Sequence, residues 1–380
     1  MPIRSALKVL ASGLAAAMTA PAHALDPAQF GQGALKFTPT LDVTTGYDDN
    51  FRADPADDSS WITTIRPNLS LSAEQGANRY AASYWIARTL VHQDSDENTT
   101  NQALDLNADL EFDARNRLAF RAFWNRTEEV TSVGDPSDEY SNVGIDTTYG
   151  FGVSGAPINA DFGYRFDRKR SENEANLENE RDANEVRATL YLATGPRAQA
   201  LAEIRYREAD FRFAPGKDNT RISYLVGARW EATALTTGSA RLGYQEQDFD
   251  LAGKPDQTAS IWEVGVTWSP RTYSRFSLNT SRSLEDGDEG ALAIRKSVYG
   301  IRWDHEWNRG WTSSAGFSES RDKYDTGRED TIRRFDAGVT YGLRRWMDVG
   351  FRYDYEDSDS TLDSETWDRN RYMVLLNLSL

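Results

Sequence analysis

The sequence predicts one all-β domain, a single antiparallel transmembrane β-barrel of about eighteen strands. Three observations predict it. Segments of about ten residues alternate apolar and polar along nearly the whole chain, the pattern of strands with one face to lipid and the other to a wet lumen. Eleven Trp, 17 Tyr and 16 Phe make 12% of the residues, a supply suited to the aromatic girdles at two membrane interfaces. The C-terminus places Tyr372, Val374, Leu376, Leu378 and Leu380 on one phase, with Arg371, Asn377 and Ser379 among the residues between them, as a terminal membrane strand would.

Bulk composition points the other way. A mean hydropathy of -0.66, 27% charged residues and a net charge of -16 resemble a soluble acidic protein. A barrel reconciles the two, because its lumen and loops keep the average polar. Beyond the N-terminus no apolar run reaches the roughly eighteen residues of a helical span, so only a closed barrel could cross a membrane. Cysteine is absent, which removes disulfides, thiolate metal sites and a lipidated N-terminal Cys.

Taken in order, residues 1–24 form an expected signal peptide. Arg4 and Lys8 precede an apolar stretch from Val9 to about Ala20, and Ala22-His23-Ala24 offers a cleavage site. Its loss takes no acid and moves the charge from -16 to -18. Residues 25–34 are expected as a short periplasmic segment and 35–380 as the outer-membrane barrel.

The first strand runs from about Leu35 to Tyr47, with Phe37, Leu41, Val43 and Tyr47 on one phase and Thr38, Thr40, Asp42 and Thr44 on the other. The second, Trp61 to Ala73, turns Ile65, Leu69 and Leu71 outward. Leu104, Leu106, Ala108, Leu110 and Phe112 alternate with Asp105, Asn107, Asp109 and Glu111, acids that a dry interior would not tolerate. Later strands repeat the rule through Phe162, Val186, Tyr224, Trp262, Ile301, Phe335 and Phe351.

Connections are of two kinds. Short basic ones include Gly195-Pro196-Arg197, Ser269-Pro270-Arg271, Asn308-Arg309-Gly310 and Leu343-Arg344-Arg345, expected as periplasmic turns. Long acidic ones include Asp48 to Asp58, Gln93 to Thr100, Glu128 to Glu139, Arg168 to Asp182, Glu285 to Leu292 and Glu356 to Glu365, expected as extracellular loops. If a loop folds into the lumen, Arg168 to Asp182 is the best candidate.

Catalytic chemistry finds little support. Apart from His23, only His92 and His305 remain; the fold would put them on opposite sides of the membrane, and Trp303 and Trp307 mark His305 as part of a girdle. The acidic clusters Asp48-Asp49-Asn50 and Asp286-Gly287-Asp288-Glu289 lack the spacing of a Ca²⁺ loop. No phosphate-binding glycine loop opens a helix, and the acidic balance excludes nucleic acid. No cofactor, metal or enzymatic activity is expected.

The lumen phase is more informative. Arg66, Arg121, Arg205, Arg229, Arg241 and Arg302 fall on it, interleaved with Asp42, Glu203, Glu263, Asp304 and Asp336. Such residues pair across neighbouring strands, or, where unpaired, offer donors to the hydroxyls and anionic groups of a passing glycan. Trp85 and Tyr191 share the phase and could stack on sugars.

Gly46-Tyr47-Asp48-Asp49-Asn50-Phe51, followed by Ile65-Arg66-Pro67-Asn68-Leu69-Ser70-Leu71, resembles the family named Putative beta-barrel porin 2, and within it the outer-membrane proteins of exopolysaccharide operons. The likeness spans the mature chain as architecture, while the specific motif is confined to the first hairpin and brings no catalytic residues. It implies a monomeric barrel that passes newly made polysaccharide across the outer membrane with periplasmic export proteins as partners. The final Leu380 departs from the Phe or Trp with which such barrels often end.

The expectation is therefore an export pore for an exopolysaccharide or capsular polysaccharide, set in the lipid and lipopolysaccharide of a Gram-negative outer membrane. Two alternatives stand beside it: a diffusion porin for small solutes, and a structural or adhesive barrel with acidic surface loops such as that of Asp286 and Asp288.

Overall fold

The computed structural model describes residues 28–29 and 35–379, apart from 131–137, 154–155, 174–175, 308–309 and the single positions 234, 252 and 289. The expected signal peptide and most of the segment 25–34 lie outside the described residues. Period-two alternation along the rest yields antiparallel strands joined in chain order.

After a two-residue β1 (Ala28–Gln29), the strands are β2 (Leu35–Asp48), β3 (Ser60–Gln75), β4 (Asn78–Val91), β5 (Thr99–Glu111), β6 (Asn116–Glu129) and β7 (Asp138–Phe151). There follow β8 (Ile158–Ser171), β9 (Arg181–Gly195), β10 (Ala198–Phe211), β11 (Asn219–Thr233), β12 (Thr236–Phe249) and β13 (Gln257–Arg271). The last six are β14 (Ser274–Asp286), β15 (Ala293–Glu306), β16 (Trp311–Tyr324), β17 (Glu329–Arg344), β18 (Met347–Ser360) and β19 (Trp367–Ser379). Each pairs with the next, and β19 returns to β2 from Arg371 opposite Asp48 to Ser379 opposite Thr40. The eighteen long strands thus close a barrel, and β1 only extends its base, with Ala28 opposite Phe37.

The alternation is oriented as the sequence requires. Ile65 and Leu69 are 40% and 47% exposed on the outer wall, while Arg66 and Asn68 between them face inward and are partly covered. Tyr372 and Val374 are likewise exposed on β19. Pro67 has no N–H to donate, and the β3–β4 ladder passes over Arg66 and Pro67.

Periplasmic turns are tight. The turn expected at Ser269-Pro270-Arg271 lies slightly later, because β13 continues through Arg271, which pairs with Ser274 after a register shift at Trp268. At the other end the acidic stretches are shorter as loops than the sequence suggested. Glu356 to Ser360 belong to β18, and Asp182 belongs to β9. Strands of 13 to 16 residues exceed the roughly 9–11 that span a bilayer, so their charged outer ends rise beyond the hydrocarbon as sheet.

The motif Gly46 to Phe51 sits on the closing seam. A Cβ on Gly46 would lie 2.0 Å from the Tyr372 carbonyl oxygen, so glycine alone lets β19 dock there. Tyr47 opposes Tyr372 on the outer wall. On the inner wall Arg369 Nε reaches both carboxylate oxygens of Asp48 at 2.9 Å. Asp49 accepts from the Asn370 backbone at 2.6 Å and from its side chain at 2.8 Å, and Asn50 donates to the Asp368 carbonyl at 2.9 Å. Phe51 then packs with Ile62 and Val91.

Candidate functional site: the lumen and its inward hairpin

Inward-facing positions recur on every strand, so the site is a wall rather than a cleft. Of the predicted contact residues, Arg66 sits 3.4 Å from Asp42 with its guanidinium 5.5 Å from the Trp85 ring centre. Arg121 donates to Asp105 at 2.7 Å and lies over Phe123. Arg302 bridges Asp304 at 3.0 Å and Asp336 at 3.2 Å. These three occupy separate sectors of the wall, on β3, β6 and β15.

The other four predicted residues come together on β9 to β12. Arg205 forks onto Glu263 at 2.6 and 3.1 Å and also pairs with Glu203. Arg241 meets Glu263 at 3.1 Å and Glu203 at 3.8 Å. Arg229 has no carboxylate partner among the described residues; it donates to Gln199 at 2.5 Å and lies over the Tyr191 ring at 3.8 Å. Five of the six predicted arginines are thus ion-paired, the satisfied arrangement expected of close opposite charges in a wall.

Next to Arg205 is a cavity of about 460 Å³ lined by Arg165, Arg187, Arg205, Arg241, Glu203 and Tyr191, among others. The ladder registers order the basic groups along the wall. Arg229 lies near the periplasmic end, opposite Gln199; Arg187 opposite Arg205 comes higher, and Arg207 opposite Arg221 higher still. The result is a track of guanidiniums rising through one side of the bore.

Above the cavity the wall itself changes course. The ladder between β13 and β14 stops at Trp262 opposite Arg282, while β14 stays paired with β15 to its tip at Asp286 opposite Ala293. The end of β14 parts from β13 and folds inward, while β15 keeps its ladder with β16 up to Ile294 opposite Tyr324. Leu284 N–H donates to Gln245 on β12 at 2.8 Å, and the Leu284 side chain packs with Leu225, Ala259 and Ile261 on the inner surface of β11 and β13. Asp286 reaches Arg221, Arg207 and Arg181 on β11, β10 and β9.

The tip continues across the mouth. Asp288 comes within electrostatic reach of Lys169 on β8 and Lys217, while Ala291 and Ile294 pack on Tyr324 of β16. Lys217 lies in the turn Pro215–Lys217, and burial pulls its ammonium below the usual lysine range against the opposing pull of Asp288, Glu178 and Asp286. The inward segment is therefore the end of β14 and the turn after it, Ser283 to Asp288 and Gly290 to Ala293, while β15 stays paired with β16 from Ile294 opposite Tyr324.

This corrects the expectation that Arg168 to Asp182 would fold inward. Arg168 to Ser171 continue β8 and Arg181 and Asp182 open β9, with Arg168 forking onto Asp182 at 2.9 Å through both Nε and Nη2, and of the described residues between Arg168 and Asp182 it is Arg181 that reaches Asp286 in the bore. It also removes Asp286 from the surface acids on which an adhesive role was based, since its side chain is 13% exposed inside the bore.

The histidines and acidic clusters carry no site. His305 lies in a girdle with Tyr273, Trp303 and Trp307, its ring centre 4.1 Å from that of Trp307. His92 meets Thr63 at 2.9 Å. Among the described residues no group of three His, Cys, Asp or Glu is placed to hold a metal ion.

A closed barrel with a charged bore and a greasy outside is built as a porin is, and the family model described as Putative beta-barrel porin 2 matches residues 26–380. The chain belongs to this porin family. No curated protein matches it. Solved structures similar to this porin include OccAB2 of Acinetobacter baumannii, at 10% identity and a TM-score of 0.48, covering 90% of this chain and 98% of that one. Another is Pseudomonas aeruginosa OpdK crystallised with vanillate, at 11% identity and a TM-score of 0.47, with 90% and 98% covered. A BenF-like porin of Pseudomonas fluorescens Pf-5 matches at 12% identity and a TM-score of 0.48, with 91% and 99% covered. Its greasy outer wall and closed sheet are those of an outer-membrane-type barrel.

Proposed function

We propose that this porin is a diffusion channel for small hydrophilic solutes, with the inward end of the β14–β15 hairpin, from Ser283 on β14 to Ala293 on β15, as its constriction. The observation that carries the reading is the hairpin. Barrels of about 16–18 strands leave an aqueous channel, and here the mouth of that channel is crossed by the protein's own chain. Beneath it one sector of the charged wall holds an open niche of about 460 Å³, within the size range of small-molecule sites.

The charged wall supports the same reading. A polysaccharide path would want unpaired donors along its length, whereas Arg66, Arg121, Arg205, Arg241 and Arg302 are already matched to carboxylates. Small-solute passage therefore fits the geometry better than exopolysaccharide export, although both start from the same barrel.

Purified full-length protein reconstituted in planar bilayers and in swelling liposomes tests this. Discrete conductance and entry of small organic solutes, without periplasmic partners, are the expected outcome. Liposomes that admit no small solute, together with loss of surface glycan on gene deletion, would return the reading to export. Residues 1–24 are proposed as a cleaved signal, which the mass of the mature protein decides.

A further inference from the structure

Asp286 is held the way a carboxylate ligand is held. Arg207 meets it end-on, Nη1 to Oδ1 at 3.2 Å and Nη2 to Oδ2 at 2.8 Å. Arg221 Nη2 donates to Oδ1 at 2.7 Å, Arg181 Nε to Oδ2 at 3.1 Å and Asn219 Nδ2 to Oδ1 at 3.3 Å. The planar, two-oxygen acceptor matches the guanidinium fork, which a point-like anion would not.

The cage and its occupant belong to different parts of the molecule. Arg181, Arg207 and Arg221 stand on β9, β10 and β11, three consecutive strands of the unbroken wall. Asp286 arrives from β14, on the hairpin that has left its neighbour β13. Take Asp286 away and three clustered guanidiniums remain on the wall against two carboxylates among the described residues, Asp167 at 3.3 Å from Arg181 and Glu185 opposite Arg207, so one positive charge is left unmatched. Such a cluster is strongly disfavoured without an anion. The cage also continues downward into the basic track, since Arg207 is two residues above Arg205 on the same inward phase and Arg205 lines the cavity.

We propose that Arg181, Arg207 and Arg221 form a carboxylate-binding site of the bore, and that Asp286 occupies it as a built-in surrogate. A small carboxylate entering from outside takes the place of Asp286 and lets the hairpin swing clear of the mouth. This rests on the porin reading and names the solute class that the channel answers to. The surrogate is tethered, so it competes at a high effective concentration, and the intact protein binds free carboxylate weakly for that reason.

Calorimetric titration of the detergent-purified full-length protein with sodium benzoate, and with benzyl alcohol as the neutral control, tests the site without any reliance on conductance. Asp286→Asn removes the competitor and is expected to bind benzoate at least about tenfold more tightly than the parent; adding Arg207→Gln is expected to abolish that gain. In bilayers, external benzoate should raise the open fraction of the parent channel, benzyl alcohol should not, and Asp286→Asn should stay open without either.

Equal benzoate binding by parent and Asp286→Asn, or undiminished binding by the double variant, would overturn the proposal. Should Asp286→Asn fail to fold, Arg207→Gln alone decides, because an unchanged benzoate response in that variant would also overturn it. Absence of conductance in the parent and in Asp286→Asn alike would sink the porin reading, while the titration still judged the carboxylate site.

Discussion

Replacing Asp48 by alanine tests whether the Gly46 to Phe51 motif closes the barrel. Asp48 is fully buried and Arg369 is 16% exposed, so neither charge is screened enough to be counted as a surface pair. The substitution removes two contacts of 2.9 Å from Arg369 Nε, a third from its Nη2, and the 3.1 Å acceptor for the Asn50 backbone N–H. Stripping one partner from a buried pair costs about 3–5 kcal/mol. Glu356 and Asp354 still act on Arg369, which favours the lower end. The expected loss is therefore about 3 kcal/mol, or about a hundredfold in the folding equilibrium. Guanidinium unfolding in lipid vesicles, followed by tryptophan fluorescence, measures it. In Asp48→Ala with Arg369→Ala, the combined loss should fall short of the sum by about 2 kcal/mol, because the second change no longer strands a charge. A loss below about 1 kcal/mol for Asp48→Ala, or strictly additive effects, would refute the closing role.

Other consequences are open to direct measurement. Gly46→Ala puts a methyl 2.0 Å from the Tyr372 carbonyl oxygen and 2.8 Å from the Met373 Cα, so the variant should give no heat-modifiable, closed species on gels. Ile65→Arg should destabilise the vesicle-inserted barrel by about 2–4 kcal/mol if the site lies near the bilayer midplane, whereas Asn68→Arg on the lumen face should leave stability within about 1 kcal/mol. Leu284→Ala empties the contact with Leu225, Ala259 and Ile261 and should raise mean conductance by loosening the hairpin; a reduced conductance would count against an inward constriction. Asp113 accepts hydrogen bonds from Arg115 N–H, from the Asn116 side chain and from Asn116 N–H, which hold its carboxyl below the usual carboxylate range. Its contribution is present above the ordinary carboxylate pKa and is lost as pH falls through the lowered folded value, so the stability gap between parent and Asp113→Ala should close in acid.

The barrel was legible because one physical rule governs every strand. Ile65, Leu69, Tyr372 and Val374 point to lipid and Arg66 and Asn68 to water, as period two demands whatever the loops do. The strand ends were less legible, since acids such as Glu356 read as loop residues when sheet can continue above the hydrocarbon. The hairpin was not legible at all. By period two Leu284 and Asp286 share the outward phase of Leu278 and Arg282, and only the departure of β14 from β13 brings them inside. One signal existed in hindsight: Leu225, Ala259 and Ile261 are apolar on the lumen phase, where a wet wall has no use for them unless something apolar covers them.

That apolar patch and the arginine cage do different jobs for the same segment. Leaving the wall denies Ser283 to Asp286 their ladder with β13 and exposes an edge at Gln257 to Ile261, which Arg295 guards through a 3.3 Å bond to the Thr258 carbonyl. Leu284 against its three partners favours the hairpin indoors by burial, a force indifferent to what the bore contains. The contacts of Asp286 are of another kind, because charge-assisted bonds to three guanidiniums weaken whenever a competing anion is present. A constriction meant only to stay shut could have been built from leucine alone. Anchoring its tip by a carboxylate, at the head of a rising basic track, makes the closed state depend on the contents of the channel.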